Sequence, residues 1–379
     1  MTFKNLGMMG LDHVQFAVAS LDHAKKLYQD RFGFTPLYRS NGSYTDKTGQ
    51  KSVVYGGGKA RIMVSQSVKE TSDAARFLRV HPEGVMTVGF RVKDLNHAYK
   101  TLCARQATPV SDPVDHGSHQ EFEITTPLGE VLFKFVQRAE DMFAPGMEPV
   151  DQANIKPGNI PWMEIDHLTS NCHTMRPVTD WYRDVMGMSQ YWDVEFHTTQ
   201  TADGQKKSSG SGLKSLVFWD EESAIKFATN EPLKPFFRQS QIERFVMDNR
   251  GAGVQHIALS VPSVIEAVDA LQKASFNFLA APDTYYARLG KRLQTVGWDL
   301  SRVREPLAEL QRRNILIDGS KEGYMLQIFQ EELRQVEGRP EGSPSFYEVI
   351  QRAGDRGFGY GNFRALFEAI EAAQAGRVD

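Results

Sequence analysis

The sequence predicts an α+β fold with two tandem domains, and three observations support this prediction. The first is length, since 379 residues exceed what one domain of about 100–200 residues usually holds. The second is composition, because 41% hydrophobic and 24% charged residues are typical of a globular protein. The third is a pattern of strand, helix cap and amphipathic helix that occurs four times along the chain.

The four repeated units are LDHVQFAVASLDHAKKLYQDRFGF, GVMTVGFRVKDLNHAYKTLCARQA, IDHLTSNCHTMRPVTDWYRDVMGM and GVQHIALSVPSVIEAVDALQKASF. In the fourth unit, Ser263 can cap a helix and Glu266 can complete a capping box. Val264, Val268 and Leu271 then lie on one helical face, which predicts an amphipathic helix. Further β segments such as KSVVYGG, EVLFKFVQR and GYMLQIFQ lie between the units. Each unit is therefore a strand, a helix and more strands.

The units divide the chain into two halves with two units each. We predict an N-terminal structural domain over residues 1–143, a linker over residues 144–161 and a C-terminal catalytic domain over residues 162–379. The linker contains prolines and has little periodicity, as connecting segments do. Residues 285–314 form an insertion that only the second half contains, and its pattern is partly helical.

Charge, hydropathy and cysteine content argue against several classes of function. The net charge of -3 does not favour nucleic acid or an anionic membrane as a partner. No apolar run approaches the roughly 18 residues that span a bilayer, and the stretch MTFKNLGMMG has no secretory pattern. Cys103 and Cys172 lie in different halves without ligand-type spacing, so we expect no disulfide framework. We therefore expect a cytoplasmic protein.

One histidine occupies the middle of GAGVQHIALSV, a stretch that otherwise predicts a buried strand. Alternation places His256 on a face with small or polar side chains, opposite the face that a covering helix would contact. His167 lies in IDHLTSN on a similarly polar face, and Glu348 lies in the strand pattern SFYEVIQR. A lone strand histidine is more often a hydrogen-bonded core group than a ligand, so the three residues need a further test.

The internal repeat supplies this test. Aligning the halves places His13 on His167, Thr87 on His256 and Lys134 on Glu348. The first half keeps the fold pattern but lacks two of the three donors, and a lysine there would repel a metal ion. Residues that served only the fold would be needed in both halves, so the difference favours a metal site. Two histidines and one carboxylate are the ligand set of non-haem Fe(II) oxygen chemistry, although Zn(II) or Mn(II) fits the same donors.

Several motifs of the second half resemble a known family. They are NEP, SQI, GAGVQHIAL, YY, ILIDGSKEGYMLQIF and FYEVIQRAGDRGFGYGNFRALFEAIE, and their order is similar to that of the 4-hydroxyphenylpyruvate dioxygenase family in the vicinal oxygen chelate superfamily. The N-terminal half is compatible but less specific. The resemblance implies two tandem vicinal oxygen chelate domains, each made of paired βαβββ units that form an open β-barrel, with a C-terminal helix over the second. It also implies a homo-oligomer, a dimer or a tetramer.

The resemblance further implies that His167, His256 and Glu348 hold Fe(II). The substrate would be a 2-oxo acid that chelates the metal, so that 4-hydroxyphenylpyruvate and O2 give homogentisate and CO2 in tyrosine and phenylalanine catabolism. The implied catalytic residues are Gln241, Gln255, Gln327, Asn230 and Ser215. The implied pocket residues are Phe329, Phe346, Phe358, Asn362, Phe363 and Leu366. The last three begin a terminal helix with an apolar stripe, which the resemblance makes a lid over the pocket.

Three alternatives stay open at this point. The first is hydroxymandelate synthase, which uses the same substrate and iron; Phe346 favours the dioxygenase because the synthase tends to have a smaller residue there. The second is a non-catalytic ligand-binding member of the fold, and the third is an extradiol ring-cleaving enzyme. Departures from the family at Ala228, at Gln330 and in VEGRPEGSPS put the exact substrate preference in doubt more than the metal site.

Overall fold

Two curled sheets hold the strands, one sheet for each half of the chain. The computed structural model describes residues 5–140, 142–153, 155–156, 158–197, 212–234, 237–281, 284–295, 297–359 and 361–366. The first sheet contains β1 (Met8–Ala17), β2 (Thr35–Ser40), β3 (Gln50–Gly57), β4 (Ala60–Ser67), β5 (Gly84–Val92), β6 (Val114–Asp115), β7 (His119–Thr125), β8 (Leu132–Arg138) and β9 (Met147–Pro149). The second contains β10 (Ile165–Asn171), β11 (Ser189–His197), β12 (Gly212–Trp219), β13 (Lys226–Leu233), β14 (Gly253–Ser260), β15 (Leu316–Gly319), β16 (Tyr324–Phe329) and β17 (Phe346–Ala353).

A helix follows the strand that opens each unit, as the repeated pattern predicts, and further helices lie in other connections between strands. The helices are α1 (Leu21–Lys25), α2 (Gly42–Thr48), α3 (Asp73–Val80), α4 (Leu95–Ala104), α5 (Arg176–Asp184), α6 (Gln241–Asp248), α7 (Val264–Lys273), α8 (Thr284–Thr295), α9 (Leu307–Arg312) and α10 (Leu333–Val336). A π-helical turn continues α1 over Lys26–Arg31. At the start of α7 the Ser263 side chain accepts a hydrogen bond from the Glu266 N–H, so the predicted helix cap is present.

Strand order confirms the two tandem domains of paired βαβββ units. The first sheet runs β6-β7-β8-β5-β1-β4-β3-β2-β9, and the second runs β11-β12-β13-β10-β14-β17-β16-β15. Within every unit the first strand lies beside the fourth and is parallel to it. The first strands of paired units, β1 with β5 and β10 with β14, are antiparallel and join the two units at the centre. Each sheet is thereby curled into an open half-barrel with a concave face.

The strand register agrees with the alignment of the two halves. In the first sheet, Gly89 lies between His13 and Lys134; in the second, Ala258 lies between His167 and Glu348. Across the central strand pair, Thr87 lies beside Gln15 and His256 lies beside Thr169. The duplicated positions therefore occupy the same places on the two concave faces.

Aromatic side chains join the two halves in one continuous core. Phe32 lies 4.6 Å from Phe276 and 4.8 Å from Tyr347 between ring centroids, so a ring from the first half packs among rings of the second. The hydroxyls of Tyr28 and Tyr347 are 3.0 Å apart. Aromatic pairs at these distances add to the stabilisation from buried area, which fixes the second sheet against the first.

Four sequence expectations concern the linker, the terminal helix, the cysteines and membrane-spanning segments. The stretch predicted as a linker contains β9, which pairs with β2 of the first sheet, and the domain boundaries remain a prediction. Residues 361–366 are helical, whereas the rest of the predicted terminal helix, including Phe367 and Ile370, lies outside the described residues. Cys103 and Cys172 are both free thiols. Among the described residues, no helix has the length and apolar character needed to cross a bilayer.

Candidate metal centre and substrate pocket

Three neighbouring strands bring His167, His256 and Glu348 together on the concave face of the second sheet. The positions paired across Ala258 place His167 on one side of β14 and Glu348 on the other, with His256 two residues along. Directly paired residues on adjacent strands project from the same face of a sheet. The side chains therefore converge although they are distant in sequence.

The three side chains offer donor atoms to one point. One ligand atom from each lies within 4.8 Å of the others, and all three residues are buried. Glu348 Oε2 is 3.3 Å from His167 Nε2 and 3.5 Å from His256 Nε2. Donors that each lie about 2.1 Å from one metal ion, as in protein metal sites, would be separated by about 3 Å. The geometry of the chain's own residues therefore fits a divalent metal ion.

The charges of the group also fit a cation. Burial alone would raise the pKa of Glu348, but the two histidines lower it to about 2, so the carboxylate is ionised. Burial lowers the pKa of His256, which keeps that imidazole neutral and able to bind a metal. Burial opposes the charge on His167 as well, yet Glu348 and Asp166 raise its pKa overall. A buried carboxylate needs a positive partner, and a metal ion would replace the proton that His167 otherwise supplies.

A second layer of hydrogen bonds orients both imidazoles. Asp166 Oδ1 accepts from His167 Nδ1 at 2.8 Å, which leaves Nε2 free for a metal. The Arg352 guanidinium holds Asp166 with two bonds of 2.6 and 2.7 Å. Gln255 Oε1 accepts from His256 Nδ1 at 3.2 Å, and Gln255 Nε2 donates to Gln241 Oε1 at 2.9 Å. These contacts fix which nitrogen of each ring faces the site.

Sequence reasoning did not identify Asp166 and Arg352. The pair is separated by 186 positions in the chain, so no local pattern connects the two residues. A signal was nevertheless present in the repeat. The dipeptide Asp-His occurs at the start of both halves, and an arginine follows four residues after both Lys134 and Glu348.

Gln327 connects Glu348 to the terminal helix. Its Nε2 donates to Glu348 Oε1 at 2.8 Å, and its Oε1 accepts from Asn362 Nδ2 at 2.8 Å. Asn362 is fully buried at the start of the helical residues 361–366. The glutamine thus occupies one carboxylate oxygen of Glu348 and leaves Oε2 toward the histidines.

Several buried polar atoms on the same face have no partner within the described chain. They are Thr169 Oγ1, Asn171 Nδ2, Ser215 Oγ and Asn230 Oδ1. Ser215 and Asn230 are paired across β12 and β13, and Asn230 Nδ2 donates to Asn171 Oδ1 at 2.9 Å. A buried polar atom without a hydrogen bond is costly. This cluster therefore offers hydrogen bonds to a polar ligand on the concave face.

Aromatic rings surround the histidines. The ring of Phe358 lies 4.7 Å from that of His167, and Phe346 is stacked on His256 at 4.9 Å. Phe329 meets His256 edge-on at 6.1 Å. Phe363 packs 5.6 Å from Trp192, and Leu366 is buried in the main core. Phe329, Phe346 and Phe358 thus lie against the rings of His167 and His256, whereas Phe363 and Leu366 pack the helical residues 361–366 against the rest of the protein.

Comparisons with known proteins agree with this architecture. Residues 10–135 and 164–299 match the glyoxalase/bleomycin resistance protein/dioxygenase superfamily. The 4-hydroxyphenylpyruvate dioxygenase of Dictyostelium discoideum is 34% identical over 386 residues, with 98% of this chain and 99% of that protein covered. The enzyme of the same name from Danio rerio is 33% identical over 387 residues, with 97% and 91% covered.

A solved structure shows the same fold. A mutant of 4-hydroxymandelate synthase from Streptomyces coelicolor superposes with a TM-score of 0.76 at 22% identity, covering 97% of this chain and 99% of that chain. Matches to both sequence and structure extend over nearly the whole length. The chain therefore belongs to the 4-hydroxyphenylpyruvate dioxygenase family of oxidoreductases, within the glyoxalase/bleomycin resistance protein/dioxygenase superfamily.

Proposed function

We propose that this protein converts 4-hydroxyphenylpyruvate and O2 to homogentisate and CO2, with Fe(II) held by His167, His256 and Glu348. The observation that carries the proposal is the buried group of two imidazoles and one carboxylate whose donors lie within 4.8 Å of one another. Three protein donors leave coordination positions for a substrate and O2. Family membership at 34% identity over 98% of the chain supports this reaction.

The chain's own residues position the reactants. Bound Fe(II) would supply Lewis-acid and redox chemistry toward a 2-oxo acid and O2. Asp166 and Gln255 hold the two imidazoles so that both Nε2 atoms face the site. Because the substrate carries its own 2-oxo acid group, no separate oxo-acid cosubstrate is needed.

The pocket around the metal group matches an aromatic substrate with polar ends. Phe329 and Phe358 offer flat apolar surfaces on which a ring can pack. Ser215 and Asn230, with their unpartnered oxygen atoms, are suited to bind a polar group of the substrate. Gln241, Gln255 and Gln327 add amide groups beside the metal ligands. The start of the terminal helix, with Asn362, Phe363 and Leu366, shields the reaction from water.

Product identification tests this function directly. Protein reconstituted anaerobically with Fe(II) is mixed with 4-hydroxyphenylpyruvate and 18O2, and the products are analysed by mass spectrometry. We expect CO2 release and homogentisate that carries both atoms of O2. Hydroxymandelate as the product would assign the protein to the alternative synthase reaction, which Phe346 disfavours. Absence of any product from the Fe(II)-loaded protein would support a non-catalytic binding role.

The choice of metal and the cellular setting are part of the same proposal. Reconstitution in parallel with Zn(II) should give no turnover, because the reaction needs a redox-active ion and Zn(II) has no redox chemistry. We further propose a cytoplasmic homo-oligomer, a dimer or a tetramer, since the family resemblance implies assembly. Light scattering on the eluting protein gives the molecular mass, and a monomer would contradict that part.

A further inference from the structure

The insertion in the second half carries a tyrosine that reaches the hydrogen bonds of the metal site. Tyr285 lies on α8, within residues that have no counterpart in the first half. Its ring is buried, and its hydroxyl lies 2.6 Å from Asn362 Oδ1. From there the bonds run through Gln327 to Glu348. The tyrosine is thus three hydrogen bonds away from a metal ligand.

The surroundings of this hydroxyl determine where its single proton goes. The Ile317 N–H donates to it at 2.7 Å, and Arg292 Nη2 donates to it at 3.1 Å. The Ile317 carbonyl also lies within reach at 2.8 Å, but it already accepts from Arg292 Nη2 at 2.6 Å. A hydroxyl has one proton and can accept two bonds. A carbonyl oxygen can accept a second bond, so the choice is made by Asn362: its Nδ2 donates to Gln327, and its Oδ1, at the shorter distance of 2.6 Å, accepts the Tyr285 proton.

That direction fixes the orientation of two amides in sequence. Because Asn362 Oδ1 accepts from Tyr285, its Nδ2 must face Gln327, to which it donates at 2.8 Å. Gln327 then accepts through Oε1 and donates through Nε2 to Glu348 Oε1 at 2.8 Å. If both amides were reversed, an amide oxygen would face the buried carboxylate and repel it. The observed direction leaves Glu348 Oε2 as the single oxygen nearest both histidines.

The same insertion also contacts the start of the terminal helix. The Gly361 N–H donates to Asp318 Oδ2 at 2.9 Å, and Arg292 Nη1 lies 3.3 Å from the same oxygen. A side chain at Gly361 would overlap the Arg292 guanidinium, so any larger residue there would displace this arginine from its contacts. Residues 361–366 and the ligand Glu348 are therefore joined through one buried set of polar groups.

We propose that Tyr285 is a positioning residue. By donating to Asn362, it sets the direction of the hydrogen bonds that run through Gln327 to Glu348, and it thereby couples docking of residues 361–366 to binding of the metal by one oxygen of Glu348. The inference rests on the proposed metal site and adds a residue outside it. Buried hydrogen bonds to metal ligands typically change metal affinity by about 10–100-fold when they are removed. Tyr285 acts through Asn362 and Gln327, so it need not touch substrate.

Tyr285→Phe tests the proposal, and Tyr286→Phe is the matched control. Tyr286 is the next residue of α8, and its hydroxyl donates to the Ile315 carbonyl at 2.7 Å. It takes no part in the hydrogen bonds that lead from Tyr285 to Glu348. Co(II) affinity is measured by equilibrium dialysis, and the visible absorption bands of bound Co(II) report its coordination. We expect Tyr285→Phe to lower Co(II) affinity by about 10-fold or more and to shift the bands. Tyr286→Phe should change neither.

Asn362→Asp keeps the proposal testable if Tyr285→Phe does not fold. An aspartate at this position accepts from Tyr285 but has no N–H for Gln327, so it should shift the Co(II) bands as well. Unchanged bands and affinity in a folded Tyr285→Phe protein, or equal losses in both tyrosine variants, would overturn the inference. Failure of the unmodified protein to bind Co(II) would instead count against the metal site itself.

Discussion

The two halves share a supporting structure but differ in the charge at its centre. In the first half, Asp12 accepts from His13 at 2.8 Å and from Arg138 at 2.8 Å. In the second half, Asp166 accepts from His167 at 2.8 Å and from Arg352 at 2.6 Å. A histidine held by an Asp–Arg pair is thus a property of the fold, and it does not by itself indicate a metal site.

The difference lies in the cation that each half accommodates. In the first half, Lys134 Nζ lies 3.1 Å from both Glu121 and Glu123, so the positive charge belongs to the chain. Burial disfavours that charge, but the two carboxylates raise the pKa of Lys134 well above its ordinary value. In the second half a glutamate replaces the lysine, so the positive charge must come from a metal ion or from a proton on His167. The histidine with its Asp–Arg pair, present in both halves, therefore belongs to the fold, whereas the glutamate in place of the lysine is specific to the second half and its proposed metal site.

The largest expected effect comes from replacing His256 with threonine, the residue at the equivalent position of the first half. His256→Thr removes one nitrogen donor and introduces the residue found at Thr87. We expect loss of bound metal and a fall in turnover of at least about 1000-fold, since a metal contributes several kcal/mol to such reactions. Metal analysis and homogentisate formation measure both effects. Full metal occupancy in this variant, with a native circular dichroism spectrum, would contradict the assignment.

A smaller effect is expected when the aspartate beside each histidine is replaced, and only the replacement of Asp166 should change metal affinity. Asp166→Asn weakens the partner that orients His167, so we expect metal affinity to fall by about 10–100-fold. Asp12→Asn removes the equivalent charge in the first half and should leave metal affinity unchanged. Competition with a chelator measures affinity, and urea unfolding of both variants checks that they lose similar stability. Equal losses of affinity would show that the halves do not differ as described.

His13→Ala should affect stability more than activity. The ring bonds to Asp12 and packs 5.1 Å from Phe143 in the first half. We expect the free energy of unfolding to fall by about 1–2 kcal/mol, with turnover within about twofold of the unmodified protein. A folded variant without turnover would indicate that the first half takes part in the reaction.

The smallest expected effect concerns pH and the contact between the halves. Burial, aided by the charge of Glu83, raises the pKa of Glu337 from 4.5 to about 7. Between these values the unfolded chain ionises before the folded protein does, so folding stability falls as pH rises from 4.5 to 7 and stays lower above 7. Glu337→Gln should therefore be more stable than the unmodified protein at pH 8, by about 1 kcal/mol after allowance for solvent screening. Urea unfolding at pH 5 and pH 8 should show the difference shrinking at the lower pH.

The sequence was sufficient for the fold and for the group of His167, His256 and Glu348 that the structure brings together, because both leave local or repeated signals. Strand alternation and helix caps are local, and the alignment of the halves exposed His256 and Glu348 as additions to a common pattern. The direction of amide hydrogen bonds is not a local property, so the role of Tyr285, 77 positions from Asn362, required the structure. The pairing of β9 with β2 is likewise a contact between distant segments that composition does not reveal.

The number of metal ions bound per chain tests the central difference between the halves most directly. Anaerobic equilibrium dialysis with Fe(II) is followed by metal analysis of the unmodified protein and of His256→Thr. The structure predicts one ion per chain for the first and none for the second, because Lys134 excludes a metal from the other concave face. Two ions per chain, or one ion that persists in His256→Thr, would place metal outside the group of His167, His256 and Glu348 and contradict the account.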